Sequence, residues 1–185
     1  TKGQITQISY EYAMPQLAKL SPEASSAVGY EKWNVSNHFY IPVTKDIVWS
    51  NVVAGGYIRN LISNQIPLIK AFRLGGYASI RGFKEDSINL DQIALKGGLV
   101  FLNFRTQVDL PLVGDLKIAP FLDAGNLYQK LDAGDRLFQG NPFLRAGAGA
   151  GLHYMTPIGP INFDYGIKLN QRRNESSGQF HFSVG

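Results

Sequence analysis

One short stretch and one distant carboxylate carry the chemistry this chain can do. Residues 75–83 read Gly-Gly-Tyr-Ala-Ser-Ile-Arg-Gly-Phe, a backbone-permissive run that presents a single cation, Arg81. Its candidate partner is Asp123, in Phe121-Leu122-Asp123-Ala124-Gly125. A guanidinium facing a carboxylate makes charge-assisted hydrogen bonds, frequently bidentate, and Gly82 lets the backbone approach closely. This is binding chemistry, in which no bond is made or broken. Catalytic signals are missing by comparison. His38, His153 and His181 are dispersed, in no metal-ligand spacing. Ser79 belongs to no G-x-S-x-G pattern. The alternating glycines at 147, 149 and 151 lie within a strand-like segment and open no helix, so a nucleotide reading fails on context. Cysteine is absent, which removes disulfides and thiolate sites. The expectation is a non-enzymatic chain with no catalytic residue, no metal and no cofactor.

The elements that must position Arg81 and Asp123 show themselves by period-two alternation. From 99 to 110, Val100, Leu102, Phe104, Thr106, Val108 and Leu110 alternate with Leu99, Phe101, Asn103, Arg105, Gln107 and Asp109. From 116 to 126, Leu116, Ile118 and Leu122 fall on one side, with Lys117, Phe121 and Asp123 on the other. Lys117 therefore shares a face with Asp123 and could compete for it. From 144 to 154, Leu144, three alanines, Leu152 and Tyr154 oppose Arg145, Gly147, Gly149, Gly151 and His153. From 161 to 170, Ile161, Phe163, Tyr165, Ile167 and Leu169 oppose Asn162, Asp164, Gly166, Lys168 and Asn170. The last segment sets Phe180, Phe182 and Val184 against Gln179, His181 and Ser183. Upstream, Trp33, Val35, Phe39, Ile41 and Val43 oppose Tyr30, Lys32, Asn34, Ser36, His38 and Tyr40, and Thr6, Ile8, Tyr10 and Tyr12 oppose Gln7, Ser9 and Glu11. Segment 47–58 is strand-like with no clear face assignment. That makes about eight strands, each near the roughly 9–11 residues a tilted membrane strand needs.

The connections give a second check. Pro42 to Asp46, Pro111 to Gly114 and Pro157 to Pro160 are short, whereas 14–27, 60–97, 128–142 and 171–178 are long and polar. Long and short alternate along the chain, as in outer-membrane barrels with short periplasmic turns and longer external loops. Composition agrees. The chain is 44% hydrophobic and only 17% charged, with 20 glycines. Yet it has no run of about 18 apolar residues, so a transmembrane helix is excluded. Its net charge of +4 comes from scattered basic residues, which argues against a nucleic-acid partner. A soluble sandwich or lipocalin-like barrel would also alternate, with its apolar face inward. The Gly147, Gly149 and Gly151 face, opposed by alanines, suits a side-chain-filled core poorly. The expected fold is all-β: an antiparallel transmembrane β-barrel segment over 1–185, about eight strands forming half of a barrel of about sixteen, with a long external loop at 59–97.

At these residues the chain resembles the C-terminal half of the barrel in the outer-membrane assembly-factor superfamily of BamA- and TamA-like proteins. Gly75-Gly76 with Ile80-Arg81-Gly82-Phe83 is similar to the family signature in the long loop between the eleventh and twelfth strands. Phe121 to Asn126 resembles the thirteenth-strand motif, and Arg145 with the glycine run and Thr156-Pro157-Ile158-Gly159-Pro160-Ile161 resembles the hairpin that follows. Phe180-His181-Phe182-Ser183-Val184-Gly185 is similar to the sorting signal on the last strand. The resemblance implies a loop-to-lumen lock made by Arg81, Gly82, Phe83, Asp123 and Gly125, and a strand-edge or sorting signal at Phe180, Phe182 and Gly185. In this reading, exchanging the charges of Arg81 and Asp123 restores function if pairing is what matters. One departure bears on the lock. Where the family often has Glu, Arg and Pro, this chain reads Gln107-Val108-Asp109-Leu110-Pro111 after Arg105, so secondary contacts to Arg81 are not assured.

By resemblance, the chain assembles, inserts or translocates polypeptides at the outer membrane of a Gram-negative-type bacterium or an organelle. Its partners are then membrane lipid and unfolded or nascent outer-membrane polypeptides. Open alternatives are a passive or two-partner-type secretion pore, and an anchor for an absent N-terminal domain. Three arrangements of eight strands fit: an excised part of a full barrel, a half completed by a second copy or another chain, or a small closed barrel. In a small closed barrel the loop would collide with Arg145, His153 and Asp164. An open edge in lipid is costly, so the edge strands near Gln4–Tyr12 and Gln179–Gly185 are expected to pair with another chain if this one is complete.

Overall fold

The computed structural model describes residues 2–14, 29–61, 66–67, 69–88, 97–128, 144–157, 159–173 and 175–184. Eight strands follow one another: β1 (Gly3–Ala13), β2 (Tyr30–Pro42), β3 (Val48–Asn60), β4 (Val100–Val113), β5 (Leu116–Tyr128), β6 (Arg145–Thr156), β7 (Gly159–Lys168) and β8 (Gly178–Val184). They form one antiparallel sheet in sequence order, each strand paired with the next. β1 and β8 are its two edges and do not pair with each other, so the small closed barrel is not formed. No helix among the described residues is long and apolar enough to cross a membrane; strands must do so.

Side chains sort as the alternation requires, but with the sense of a membrane sheet. Trp33, Val35, Val53, Leu102, Phe104, Leu122, Leu152, Phe163, Tyr165, Phe180 and Phe182 stand exposed on one face. Asn103, Asp123, Arg145, Asn162, Asp164 and His181 are buried on the other. A soluble domain would reverse this, because water solvates charge and expels apolar surface; here the apolar band faces hydrocarbon. The register of β3 resolves the segment whose faces the sequence left open. Tyr57, Gly55, Val53, Asn51 and Trp49 align with outward residues of β2 and β4, and Ile58 turns to the polar side beneath the loop.

Two irregularities follow from local sequence. Pro120 has no N–H to give, and the β4–β5 ladder skips from Gln107↔Phe121 to Leu110↔Ile118. A shift between Pro111 and Val113 then leaves Leu112 as an extra, bulged residue before the Gly114-Asp115 turn. Strand ends also differ from their sequence limits by one to three residues, in either direction. The β3–β4 connection runs 61–99 rather than 59–97, a boundary shift expected where only pattern defines an end.

That connection does not stand away from the sheet. Its bridges Phe72↔Gly98 and Leu74↔Ile88 make a compact lobe. Phe72, Leu74, Ile80, Phe83 and Ile88 pack with Tyr30, Ile58 and Leu127 of the sheet in one buried cluster. The only apolar core of any size among the described residues thus lies between the loop and the polar face of the sheet.

Candidate functional site

The tip of the loop, Ile80-Arg81-Gly82-Phe83, is wholly buried against β4–β8. Arg81 is 1% exposed and Asp123 0%. Asp123 Oδ2 accepts from Arg81 Nε at 2.7 Å and from the Arg81 backbone N–H at 3.0 Å, and Oδ1 accepts from Nη2 at 2.9 Å. Nη1 donates to Gln107 Oε1 at 2.6 Å and to Asp164 Oδ2 at 3.3 Å. The guanidinium lies 3.6 Å from the Phe121 ring centroid, a cation–π contact on its open face. Burial opposes the charge, yet Asp123 and Asp164 outweigh it and hold the guanidinium above its ordinary value. A buried cation is tolerable only when paired and hydrogen-bonded in this way.

The floor under the tip explains the glycines. At Gly147 an added methyl would overlap the Arg81 carbonyl oxygen. At Gly166 it would stand 2.6 Å from the Gly82 nitrogen. Gly82 itself has φ 93°, a left-handed conformation that glycine adopts freely. Gly149 and Gly151 serve differently, under the Phe121 ring and the Asp164 carboxylate. At Gly125 an added methyl would meet the Leu102 carbonyl oxygen of β4 at 2.5 Å and then Ile80 Cδ1 at 3.0 Å.

Phe83 occupies a cationic box. The Arg145 guanidinium is 4.8 Å and Lys168 Nζ 5.1 Å from its ring centroid. Glu175, from the β7–β8 connection, accepts from Arg145 at 2.6 Å and holds the box closed. Burial favours the neutral form of Glu175, but the Arg172 amide and Arg145 keep its carboxyl below the ordinary range. The loop is fixed at its other end too, where Lys70 Nζ meets Glu11 Oε1 of β1 at 2.5 Å and Lys32 donates to the Lys70 carbonyl at 2.8 Å.

Of the residues singled out from sequence, Arg81, Gly82, Phe83, Asp123 and Gly125 come together in this site. Phe180 and Phe182 do not; they point outward from β8, stacked beside Phe163 at 6.2 and 4.9 Å between ring centroids. Gly185 lies outside the described residues. The second cation facing Asp123 is Arg105, with Nε at 3.6 Å, rather than Lys117. Asp164, Gln107, His181 and Glu11 went unrecognised as loop contacts, and Glu175 as the partner of Arg145. Their inward parity was legible, but not their choice of partner. Gln107, a departure from the family pattern, takes up the secondary contact after all. Gln107→Leu is therefore expected to destabilise by up to about 1.5–3 kcal/mol, as for a hydrogen bond to a charged group, while Gln107→Glu keeps the acceptor. The temperature at which the native protein loses its folded electrophoretic mobility should fall further for Leu than for Glu, which gives up only the Gln107 Nε2 donation to Asp109 at 2.8 Å; a Leu variant as stable as wild type would show the contact to be idle.

Comparison with known proteins places this geometry. The Omp85 superfamily domain matches residues 1–185. Outer membrane protein assembly factor BamA of Neisseria meningitidis serogroup B is 23% identical over 219 aligned positions, covering 100% of this chain and 26% of that protein. The chloroplastic outer envelope protein 39 of Arabidopsis thaliana is 29% identical over 155 positions, covering 76% of this chain and 38% of its own length. In structure, BamA from Haemophilus ducreyi lacking POTRA domains 1–3 superposes with a TM-score of 0.77 at 21% identity, covering 98% of this chain and 38% of that one. The chain thus spans well under half of the relatives it matches.

Proposed function

The chain belongs to the Omp85 superfamily and is an outer-membrane β-barrel segment, and on that premise we propose that it forms the loop-holding C-terminal portion of a barrel that assembles or inserts polypeptides at the outer membrane. Its clients are unfolded or nascent outer-membrane polypeptides, whose strands add to an open sheet edge by backbone pairing. The observation that carries this is the buried Arg81 guanidinium, hydrogen-bonded to three strands of one wall, β4, β5 and β7. The loop braces this wall from within, spanning it from Glu11 on β1 to Asp164 on β7. β8 lies at one edge of the described sheet and presents the backbone groups to which such a strand would add. The lock reading of Arg81, Gly82, Phe83, Asp123 and Gly125 belongs to this proposal, as does the edge role of Phe180, Phe182 and Gly185.

The pore alternative is less well supported. Of the inward cations that would select anions, Lys32, Arg105, Arg145 and Lys168 are engaged with the loop or with carboxylates. A photo-crosslinker at Gln179 or Ser183, in the native protein reconstituted in outer-membrane lipid vesicles, separates the two. Capture of an unfolded barrel client, and not of the same client once folded, is the expected result. Steady, loop-dependent conductance in a planar bilayer without client capture would replace the assembly reading by the pore.

A further inference from the structure

Two consecutive amides at the loop tip go to different strands. Arg81 N–H donates to Asp123 on β5, and Gly82 N–H donates to His181 Nε2 on β8 at 3.2 Å. His181 is 9% exposed and sits opposite Asp164 in the ladder. A second, indirect tie runs beside it, because Asn162 Nδ2 donates to the loop hydroxyl of Tyr77 and to Ser183 Oγ of β8 at 3.0 and 3.1 Å. Both ties end on β8, an edge strand of the described sheet.

We propose that His181 is a positioning residue that couples the seating of the loop to the terminal strand, holding β8 while the tip is docked and freeing its edge when the tip leaves. This deepens the assembly reading and rests on it for its purpose. The chemistry is specific to a neutral imidazole. Nε2 accepts from Gly82 only through its lone pair, so the ring proton sits on Nδ1. Protonation turns Nε2 into a donor facing a donor and breaks the tie. Burial opposes an imidazolium most, joined by Arg81 from the loop and Arg105 from β4, while Asp164 from β7 and Asp123 from β5 favour it, Asp164 being already bonded to His153 of β6 at 3.0 Å. The tie therefore exists on the alkaline side of the imidazole titration and is lost as pH falls through it.

Amide hydrogen exchange of the β8 segment, in the native protein held in lipid nanodiscs, tests this at about pH 8 and about pH 4.5, the acid value lying below the ordinary histidine range because burial opposes the charged ring. His181→Gln places an uncharged acceptor near the position of Nε2, whereas His181→Leu offers none. With intrinsic exchange rates corrected for pH, wild-type β8 is expected to exchange about tenfold faster in acid, the Leu variant equally fast at both values, and the Gln variant slowly at both. Exchange in β4 and β5 should stay unchanged throughout. A Leu variant as protected as wild type, a Gln variant that still responds to acid, or loss of protection that spreads to β5 would each overturn the coupling. Client assembly is measured on the same samples. If β8 behaves as stated while assembly is indifferent to it, the tie stands and the assembly reading falls.

Discussion

Arg81→Ala is expected to lower the unfolding free energy of the native barrel by about 3–5 kcal/mol, toward the lower end if water enters the vacated space. Two carboxylates, Asp123 and Asp164, are then left in a buried site with Arg105 as the nearby guanidinium. Client assembly should fall with it. The informative experiment is the charge exchange, Arg81→Asp with Asp123→Arg. Simple pairing predicts rescue, but the geometry predicts failure. Asp123 accepts from the backbone N–H of residue 81 as well as from its side chain, and an arginine at 123 leaves that amide without an acceptor. It would also abut Arg105, whose Nε now lies 3.6 Å from the carboxylate, while an aspartate at 81 would face Asp164. The double variant should unfold at least as readily as either single one. A return to the wild-type unfolding temperature would show that charge alone, not geometry, decides the contact.

Gly147→Ala and Gly166→Ala are expected to do comparable damage without touching a charge. Each adds one methyl, and each methyl meets backbone that cannot rotate away: the Arg81 carbonyl at 147, the Gly82 nitrogen at 166. Overpacking ordinarily costs about 1–3 kcal/mol. Here it also lifts the tip from its floor and takes contacts of the Arg81 cluster with it, so the total should approach that of Arg81→Ala. Combining Gly147→Ala with Arg81→Ala should therefore add little, since two changes that abolish one docked state are not additive. Protease cleavage within the loop, slow in the wild type and fast in all three variants, reads the docked state directly. Full additivity in the double variant would mean that the glycine floor serves the sheet and not the loop.

The extent to which this was legible in advance follows from range. The alternation at 99–110, 144–154 and 161–170 identifies strands because side-chain direction in an extended chain is set residue by residue. The same pattern distinguishes a membrane sheet from a soluble one, since Gly147, Gly149 and Gly151 cannot fill a core. Where local rules conflict, the reading weakens. Segment 47–58 has no clean period, because Asn51 lies on the outward face among Phe39, Val53 and Thr106. At Pro120 the missing donor opens a gap in the ladder that composition did not announce.

By itself, the sequence determined the strands, which way their side chains face, the alternation of short turns and long loops, and the presence of one glycine-flanked cation. Only the tertiary structure decided what that cation meets. Asp123, Asp164 and the His181 contact at Gly82 are separated from the loop by 42, 83 and 99 residues. Such distances close only when strand register and sheet curvature bring one inward residue from each of β4, β5, β7 and β8 to a common point. Parity tells a residue to face inward, and it is the same for every inward residue; position along and across the sheet is a property of all the ladders together.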